Sequence, residues 1–415
     1  MRASLSCRFG RSARAPQSVP WWPALVLWLG LCHPALALEL FEGFQVHGFL
    51  SQGYFLTSNN NNLFGKSTRG GSLDFTEIGV NASWTPLPRL QLAIQGLSRR
   101  AGGAAEGEPE LDFALLDYAA IETPEHRLGV RAGRVRVPFG LYNDTRDVAF
   151  TRPSILLPQS IYFDRTRELQ ISGDGILFYG EARGTWGSFV LEFLGPFFPR
   201  VDNENSELAF FGEDLPGDLD PRVSYLGRLI YETPLQGLRF AVTGARVMDE
   251  YNPKFSPEDG DFPGTDALEP LIFSAQYEAE HWSLTGEYAR RRIVQEGVFS
   301  PDFKLDIVGE SYYIQGIYRI DPHWEMMVRY DVFFGNVDDR DGSEFEAATG
   351  LPSHLQFAKD WTVGVRYNIT PSWMLRAEYH NVYGGTLFLF PQDNPDVFAL
   401  NKKWDIFALL LSYRF

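Results

Sequence analysis

The segment Glu77-Ile78-Gly79-Val80-Asn81-Ala82-Ser83-Trp84 alternates strictly, with Ile78, Val80, Ala82 and Trp84 on one face and Glu77, Gly79, Asn81 and Ser83 on the other. A period of two is that of an extended strand, whose successive side chains point to opposite faces. The following Thr85-Pro86-Leu87-Pro88-Arg89 holds two prolines, which donate nothing to a ladder and are expected to stop the strand at a short turn. Leu90, Leu92 and Ile94 then alternate with Gln91, Ala93 and Gln95, so the unit is strand, short turn, strand.

The unit recurs along the chain. Short turns are expected at Thr123-Pro124-Glu125-His126-Arg127, Arg183-Gly184, Thr233-Pro234-Leu235-Gln236-Gly237, Glu280-His281-Trp282, Asp321-Pro322-His323 and Thr370-Pro371-Ser372. With the first turn these make seven, and they alternate with eight long loops centred on 59–69, 101–110, 138–169, 196–221, 250–269, 293–309, 335–356 and 384–403. Fifteen connections join sixteen strands and leave both termini on the short-turn side. In later strands the second face is charged: Trp324, Met326, Val328 and Tyr330 alternate with Glu325, Met327, Arg329 and Asp331, and Trp373, Leu375, Ala377 and Tyr379 with Met374, Arg376, Glu378 and His380. Inside a soluble sandwich that face would be a costly charged core. A wet interior removes the cost, and about sixteen strands enclose an aqueous lumen where eight would be filled by side chains.

The expected fold class is therefore all-β: a transmembrane antiparallel β-barrel of about 16 strands, with short periplasmic turns and long extracellular loops. Mean hydropathy of −0.19 would suit a soluble protein, but only alternate residues of such a barrel face lipid. The aromatic content of 15% fits girdles at the two membrane interfaces. Only 112–122 shows no clean face.

Residues 1–37 combine Arg2, Arg8, Arg11 and Arg14 with an apolar run from Trp21 to Leu31 and the small-residue site Ala35-Leu36-Ala37, the pattern of a secretory signal peptide. The barrel is then expected to occupy 38–415 of the mature chain. A lipoprotein modified at Cys32 is the alternative, disfavoured by the bulky Leu31 before it. Both cysteines, Cys7 and Cys32, fall in the signal, which excludes disulfides and cysteine-held metals afterwards. Removing four arginines from 37 basic residues leaves 33 against 53 acids, or −20, which argues against nucleic acid as a partner. At the other end Phe407, Leu409, Leu411, Tyr413 and Phe415 share one face, while Ser412 and Arg414 lie on the other. A terminal aromatic on such a strand resembles the signal recognised by the outer-membrane assembly machinery, so Phe415 and Tyr413 are the expected assembly signal, and that machinery and outer-membrane lipid are expected partners.

The loop 138–169, between the fifth and sixth strands, differs from the others in being apolar, with Val148, Phe150, Ile155, Leu156, Leu157, Ile161, Tyr162 and Phe163. Exposed, it would be a large sticky patch. The nearest shelter is the lumen wall, where it would constrict the pore. The run Gly133-Arg134-Val135-Arg136-Val137-Pro138-Phe139-Gly140, through Thr151-Arg152-Pro153 to Pro158-Gln159-Ser160, resembles a segment of the phosphate-selective porin-like superfamily. The resemblance implies a sixteen-stranded outer-membrane porin, often a homotrimer, giving passive diffusion to small hydrophilic solutes that are anionic or neutral.

One departure matters: phosphate-specific members line the pore with lysine, and this chain has lysine only at 66, 254, 304, 359, 402 and 403. Arginine must supply the cations, and its planar fork suits carboxylate and phosphate. The candidates for pore constriction and selectivity are Arg146, Arg152, Arg165 and Arg167 in the loop and Arg134 and Arg136 at its root. On the strands they are Arg131, Arg329, Arg366 and Arg376, which together with Arg228 and Arg239 share the expected lumen face with Glu77, Glu181, Glu192, Glu278, Glu287, Glu325 and Glu378. Each loop arginine has a second reading, in which it pairs with Asp144, Asp147, Asp164 or Glu168 and pins the loop.

Two other functions compete. A barrel enzyme of lipase or protease type needs a nucleophile and base in reach of each other. Outside the signal and the short turns only His47, His354 and His380 remain, and none sits in a catalytic motif, so no enzyme is expected. A scaffold or adhesin barrel is the third possibility. No cofactor motif is present, and Asp259, Asp261 and Asp266 give only a faint calcium pattern, so no metal is expected.

Overall fold

The computed structural model describes residues 38–415 apart from 202–205, 209–210, 212–214, 257–261 and 386–387; the expected signal, 1–37, and the acids Asp259 and Asp261 lie outside the described residues. The strands are β1 (Leu38–Phe41), β2 (Phe44–Thr57), β3 (Ser72–Leu87), β4 (Leu90–Ala101), β5 (Glu106–Glu122), β6 (His126–Arg136), β7 (Ser172–Gly184), β8 (Gly187–Pro199) and β9 (Asp218–Pro221). They continue as β10 (Ser224–Glu232), β11 (Leu238–Asn252), β12 (Gly264–Glu278), β13 (Trp282–Glu296), β14 (Lys304–Arg319), β15 (Trp324–Phe334), β16 (Phe357–Asn368), β17 (Trp373–Gly384) and β18 (Lys403–Arg414). Two of these are accessories: β1 folds back on β2, and β9 lies along the end of β11. The other sixteen pair antiparallel with their neighbours, and β18 pairs with β2, which closes the barrel and leaves it without a free edge.

The alternation read in the sequence is the inside–outside rule of this barrel. Val80, Ile94, Val328 and Trp361 are 51%, 50%, 51% and 56% exposed on the outer wall, while Glu77, Gln95, Arg329 and Thr362 are buried on the inner one. An apolar band of this extent is at home in lipid, not in water. No helix among the described residues is long and apolar enough to cross a membrane. Aromatic pairs lie beside the short turns, Trp324 with Tyr367 at 4.4 Å and Trp373 with Tyr413 at 4.8 Å between ring centres, as an interfacial girdle requires.

Three expectations need correction. The prolines do not stop β3 at Thr85: the strand continues through Pro86 to Leu87 because a register shift between Trp84 and Leu87 absorbs the missing donor. The loops expected at 101–110 and 293–309 shrink to 102–105 and 297–303, since β5, β13 and β14 extend into polar sequence. The mixed face at 112–122 is a bulge. Phe113 pairs with Gln95 and Leu111 with Gly96, leaving Asp112 extra, so the alternation changes phase and brings both Asp112 and Asp117 inside.

Candidate functional site

The loop between β6 and β7 runs from Val137 and ends in a short helix, Arg167–Ile171. Its apolar side chains find the shelter that their composition demands. Phe150, Ile155 and Leu156 join a buried cluster with Phe55, Phe75, Met374 and Trp404, whereas Phe139, Leu157, Ile161 and Tyr162 join another with Leu177, Leu194, Ile272 and Tyr313. The loop is thus inside the barrel and packed against two walls.

Its main chain is held by wall charges. Three carboxylates accept backbone N–H groups: Glu287 from Leu141 at 3.2 Å, Asp331 from Ser160 at 3.2 Å, and Glu378 from both Ile155 and Leu156. Three arginines donate to backbone carbonyls: Arg228 to Gly140 at 2.9 Å, Arg376 to Arg152 at 2.6 Å, and Arg291 to Ser160. Arg329 adds a bond to the Ser154 hydroxyl at 2.9 Å. Counting around the ring from β6 through β7, β8, β10, β11, β12, β13 and β14 to β15 makes eight steps of sixteen. The contacts at Arg329 and Asp331 therefore lie diametrically opposite the loop's root, and the loop crosses the lumen from wall to wall.

The loop arginines follow the second reading of the sequence. Arg152 binds Glu77 at 2.8 Å and the Arg146 carbonyl at 2.9 Å. Arg146 binds Asp164 at 3.3 Å and the Tyr162 carbonyl at 3.2 Å, and Arg167 pairs with Asp147. Arg136 pairs with Asp112 and Asp147 over the ring of Phe113. Arg99 of β4 bridges Glu77 at 3.6 Å and Asp164 at 3.3 Å. Arg99, Arg136, Arg146, Arg152 and Arg167 thus face Glu77, Asp112, Asp147 and Asp164, five cations to four anions. Burial pushes the Arg146 guanidinium down to about 10, against the pull of Asp164, so it stays charged at neutral pH. Burial raises Tyr142 to about 12 and also raises Tyr162, so both remain neutral phenols able to donate.

The remaining candidates are placed differently. Arg165 is half-buried and donates to the Leu208 carbonyl at 3.1 Å. Arg131 pairs with Asp117 at 2.9 Å, under the ring of Tyr179. Arg329 and Arg376 are buried anchors of the loop, 1% and 2% exposed. Arg366 bonds Asn368 and, with Arg414, lines a cavity of about 270 Å³ beside Phe150, Pro322 and Pro371, next to two short turns. Arg134 is a correction: it forms a fork with Asp174 at 2.9 and 3.0 Å on the strand face shared with the exposed Leu128 and Ile176, facing away from the lumen. Residue alternation from Arg131 already implies the opposite face.

Arg99 and Arg291 were missed because each sits in a run, Arg99-Arg100 and Arg290-Arg291-Arg292. The signal was available, since alternation from Gln95 and from Glu287 puts Arg99 and Arg291 inside. Of the histidines, His380 is fully buried, with both Asp360 (2.8 Å) and Thr362 (3.1 Å) at its Nδ1. Its Nε2 lies 3.4 Å from Glu378, so carboxylates flank both ring nitrogens.

No family model matches the chain, and no curated protein is similar to it in sequence. Solved structures share its fold. OmpT of Vibrio cholerae, expressed in the outer membrane, aligns over 92% of this chain and 100% of its own with a TM-score of 0.56 at 12% identity. The outer membrane channel DcaP of Acinetobacter baumannii covers 92% and 100% with 0.55 at 10%. An anion-selective porin from Comamonas acidovorans covers 90% and 99% with 0.56 at 11%. The chain has the closed sixteen-stranded barrel of outer-membrane porins.

Proposed function

We propose that this protein is an outer-membrane porin that gives passive, diffusive passage to small hydrophilic solutes, with a preference for anions, and that it is not an enzyme. The observation that carries the anion preference is the density of guanidinium groups around the crossing loop. Arg99, Arg136, Arg146, Arg152 and Arg167 gather there among Glu77, Asp112, Asp147 and Asp164, and the wall residues Arg291 and Arg376 each keep Nε and Nη1 without a protein acceptor among the described residues. Guanidinium groups in a narrow passage of low dielectric attract anions more strongly than in bulk water. The loop sets the bore, because every route through the lumen must pass it.

Within this proposal, residues 1–37 are a cleaved signal and the barrel assembles as a homotrimer. Arginine takes the role that lysine holds in the phosphate-selective superfamily, so oxyanions that can accept its two parallel N–H groups, carboxylates as well as phosphate, are the preferred solutes. The test is reversal potential in planar bilayers under a KCl gradient. Anion selectivity that weakens when phosphate or a small carboxylate competes supports the proposal, whereas cation selectivity of the folded wild type would overturn the anion preference.

A further inference from the structure

Toward the outer-loop end of the barrel, clear of the crossing loop's ion network, two aspartates confront each other. Asp249 of β11 stands directly opposite Asp266 of β12, and they are 1% and 2% exposed. Directly opposed residues of an antiparallel pair hold their Cβ atoms about 5 Å apart, and like charges there repel. Apolar side chains bound the pair on both sides, Val247 and Leu268 on one and Tyr251 on the other, so water does little to screen it.

No cation among the described residues pairs with this charge. The outward arginines of the sector are engaged elsewhere, Arg222 with Glu250, Arg246 with Glu269, and Arg292 with Glu269 and Asp306, and the inward Arg291 of β13 donates to the Ser160 carbonyl of the crossing loop. Among the described residues no ion pair reaches either aspartate, and neither oxygen of Asp249 has a hydrogen-bond partner. Asp266 has the Gln295 amide beside it, across the β12–β13 ladder. Two ionised carboxylates buried at this distance need either a shared proton or a cation.

We propose that Asp249 and Asp266 hold a divalent cation between β11 and β12, calcium being favoured by the all-oxygen surroundings. Carboxylate and amide oxygens are hard ligands, and calcium tolerates irregular sites that magnesium does not. No three His, Cys, Asp or Glu side chains among the described residues come together, so the rest of the shell falls to the Gln295 amide, backbone oxygens and water. Such a sparse set belongs at the weak end of calcium sites, with a Kd of about 10⁻⁴–10⁻³ M. That range suits a protein facing a millimolar exterior. The cation would rivet two strands where they leave the membrane.

The experiment uses the full chain refolded in lipopolysaccharide-free detergent and stripped with a chelator. CaCl₂ is titrated by calorimetry and the unfolding temperature is followed in parallel. One saturable calcium per chain, with a raised unfolding temperature, is expected. Asp249→Asn with Asp266→Asn should abolish both effects, while Asp341→Asn, in an exposed loop elsewhere, should preserve them. If the double variant does not assemble, Asp249→Asn alone serves, with binding expected to weaken at least about tenfold. No saturable binding up to about 10 mM, or binding unchanged in the variants, overturns the site. Stabilisation of the chelated protein by acid, with no further effect of calcium, overturns it in favour of a shared proton.

Discussion

Glu378 receives the N–H groups of Ile155 and Leu156, and its other neighbour is the His380 ring at 3.4 Å. Because the wall carboxylates bind main chain, changes in the loop's side chains leave these latches in place, whereas changes in the wall break them. Glu378→Ala would strand two buried N–H groups, at about 1–3 kcal/mol each, against a loop and not against the sixteen-strand ladder. The expected result is larger or noisier single-channel conductance, with the barrel still migrating as a folded, heat-modifiable species on gels. Glu378→Gln keeps an acceptor oxygen and should recover part of the wild-type bore. Unaltered conductance in Glu378→Ala would remove the latch. Selectivity needs a different residue, because Arg152→Ala leaves the buried Glu77 with only Arg99 at 3.6 Å, and breaking a buried pair costs about 3–5 kcal/mol. Arg366 is half-buried, outside that network, and lines the cavity beside the short turns. Arg366→Ala is therefore expected to move the reversal potential toward cations at constant conductance, and a potential equal to wild type would show that this mouth does not select.

At the scale of elements, the strands were legible in the sequence because an apolar outer wall and a charged inner one impose a period of two on every strand. The exceptions are bulges, such as the one at Asp112, where one extra residue changes the phase. The apolar loop was legible for the same reason, since Ile155, Leu156 and Leu157 had to be buried somewhere. Its partners were not, because Arg152 meets Glu77 across 75 residues and Ile155 meets Glu378 across 223, and no local pattern encodes such pairings. The run Asn59-Asn60-Asn61-Asn62 looked like an ordinary polar loop. In the structure Asn59 and Asn60 have φ of 56° and 65°, a region asparagine tolerates better than most residues, and the run docks on the loop before β18. Asn61 exchanges two bonds with Asn401, at 2.7 and 2.9 Å, and Asn62 exchanges two with Asn394, at 2.8 and 2.9 Å. Replacing Asn61 and Asn394 with alanine removes side-chain bonds worth about 1 kcal/mol each. Externally added protease is then expected to cut the 388–402 loop faster in intact cells, with barrel assembly unaffected, and equal cutting rates would show that the clamp is not what protects it.

At the scale of the whole molecule, the barrel exists only once its two ends meet, and β18 pairs with β2 from Ile406↔Thr57 to Arg414↔Phe49. Contacts so distant in sequence form late and slowly, because loop closure must precede any gain from pairing. Phe415 is the last rung of that seam. Its N–H donates to the Gly48 carbonyl at 3.0 Å, and Gly48 N–H donates back to the Phe415 carbonyl at 3.2 Å. Its ring lies over the Gly48 Cα so closely that a Cβ there would come within 2.4 Å, which is why glycine suits this position. The ring remains 38% exposed, so it presents itself outward while sealing the seam. Deleting Phe415 should therefore act on assembly and not on permeation, because neither the loop latches nor the lumen arginines touch it. The expected outcome is a several-fold loss of heat-modifiable barrel in outer-membrane fractions, with the surviving channels conducting as wild type. Gly48→Ala tests the seam separately: it displaces the ring but keeps the terminal aromatic available to the assembly machinery, so slower refolding in detergent with near-normal delivery in cells is expected. If the deletion variant assembles normally in cells and refolds at the wild-type rate, Phe415 serves neither recognition nor closure, and its place on the seam would amount to a little lipid-facing burial.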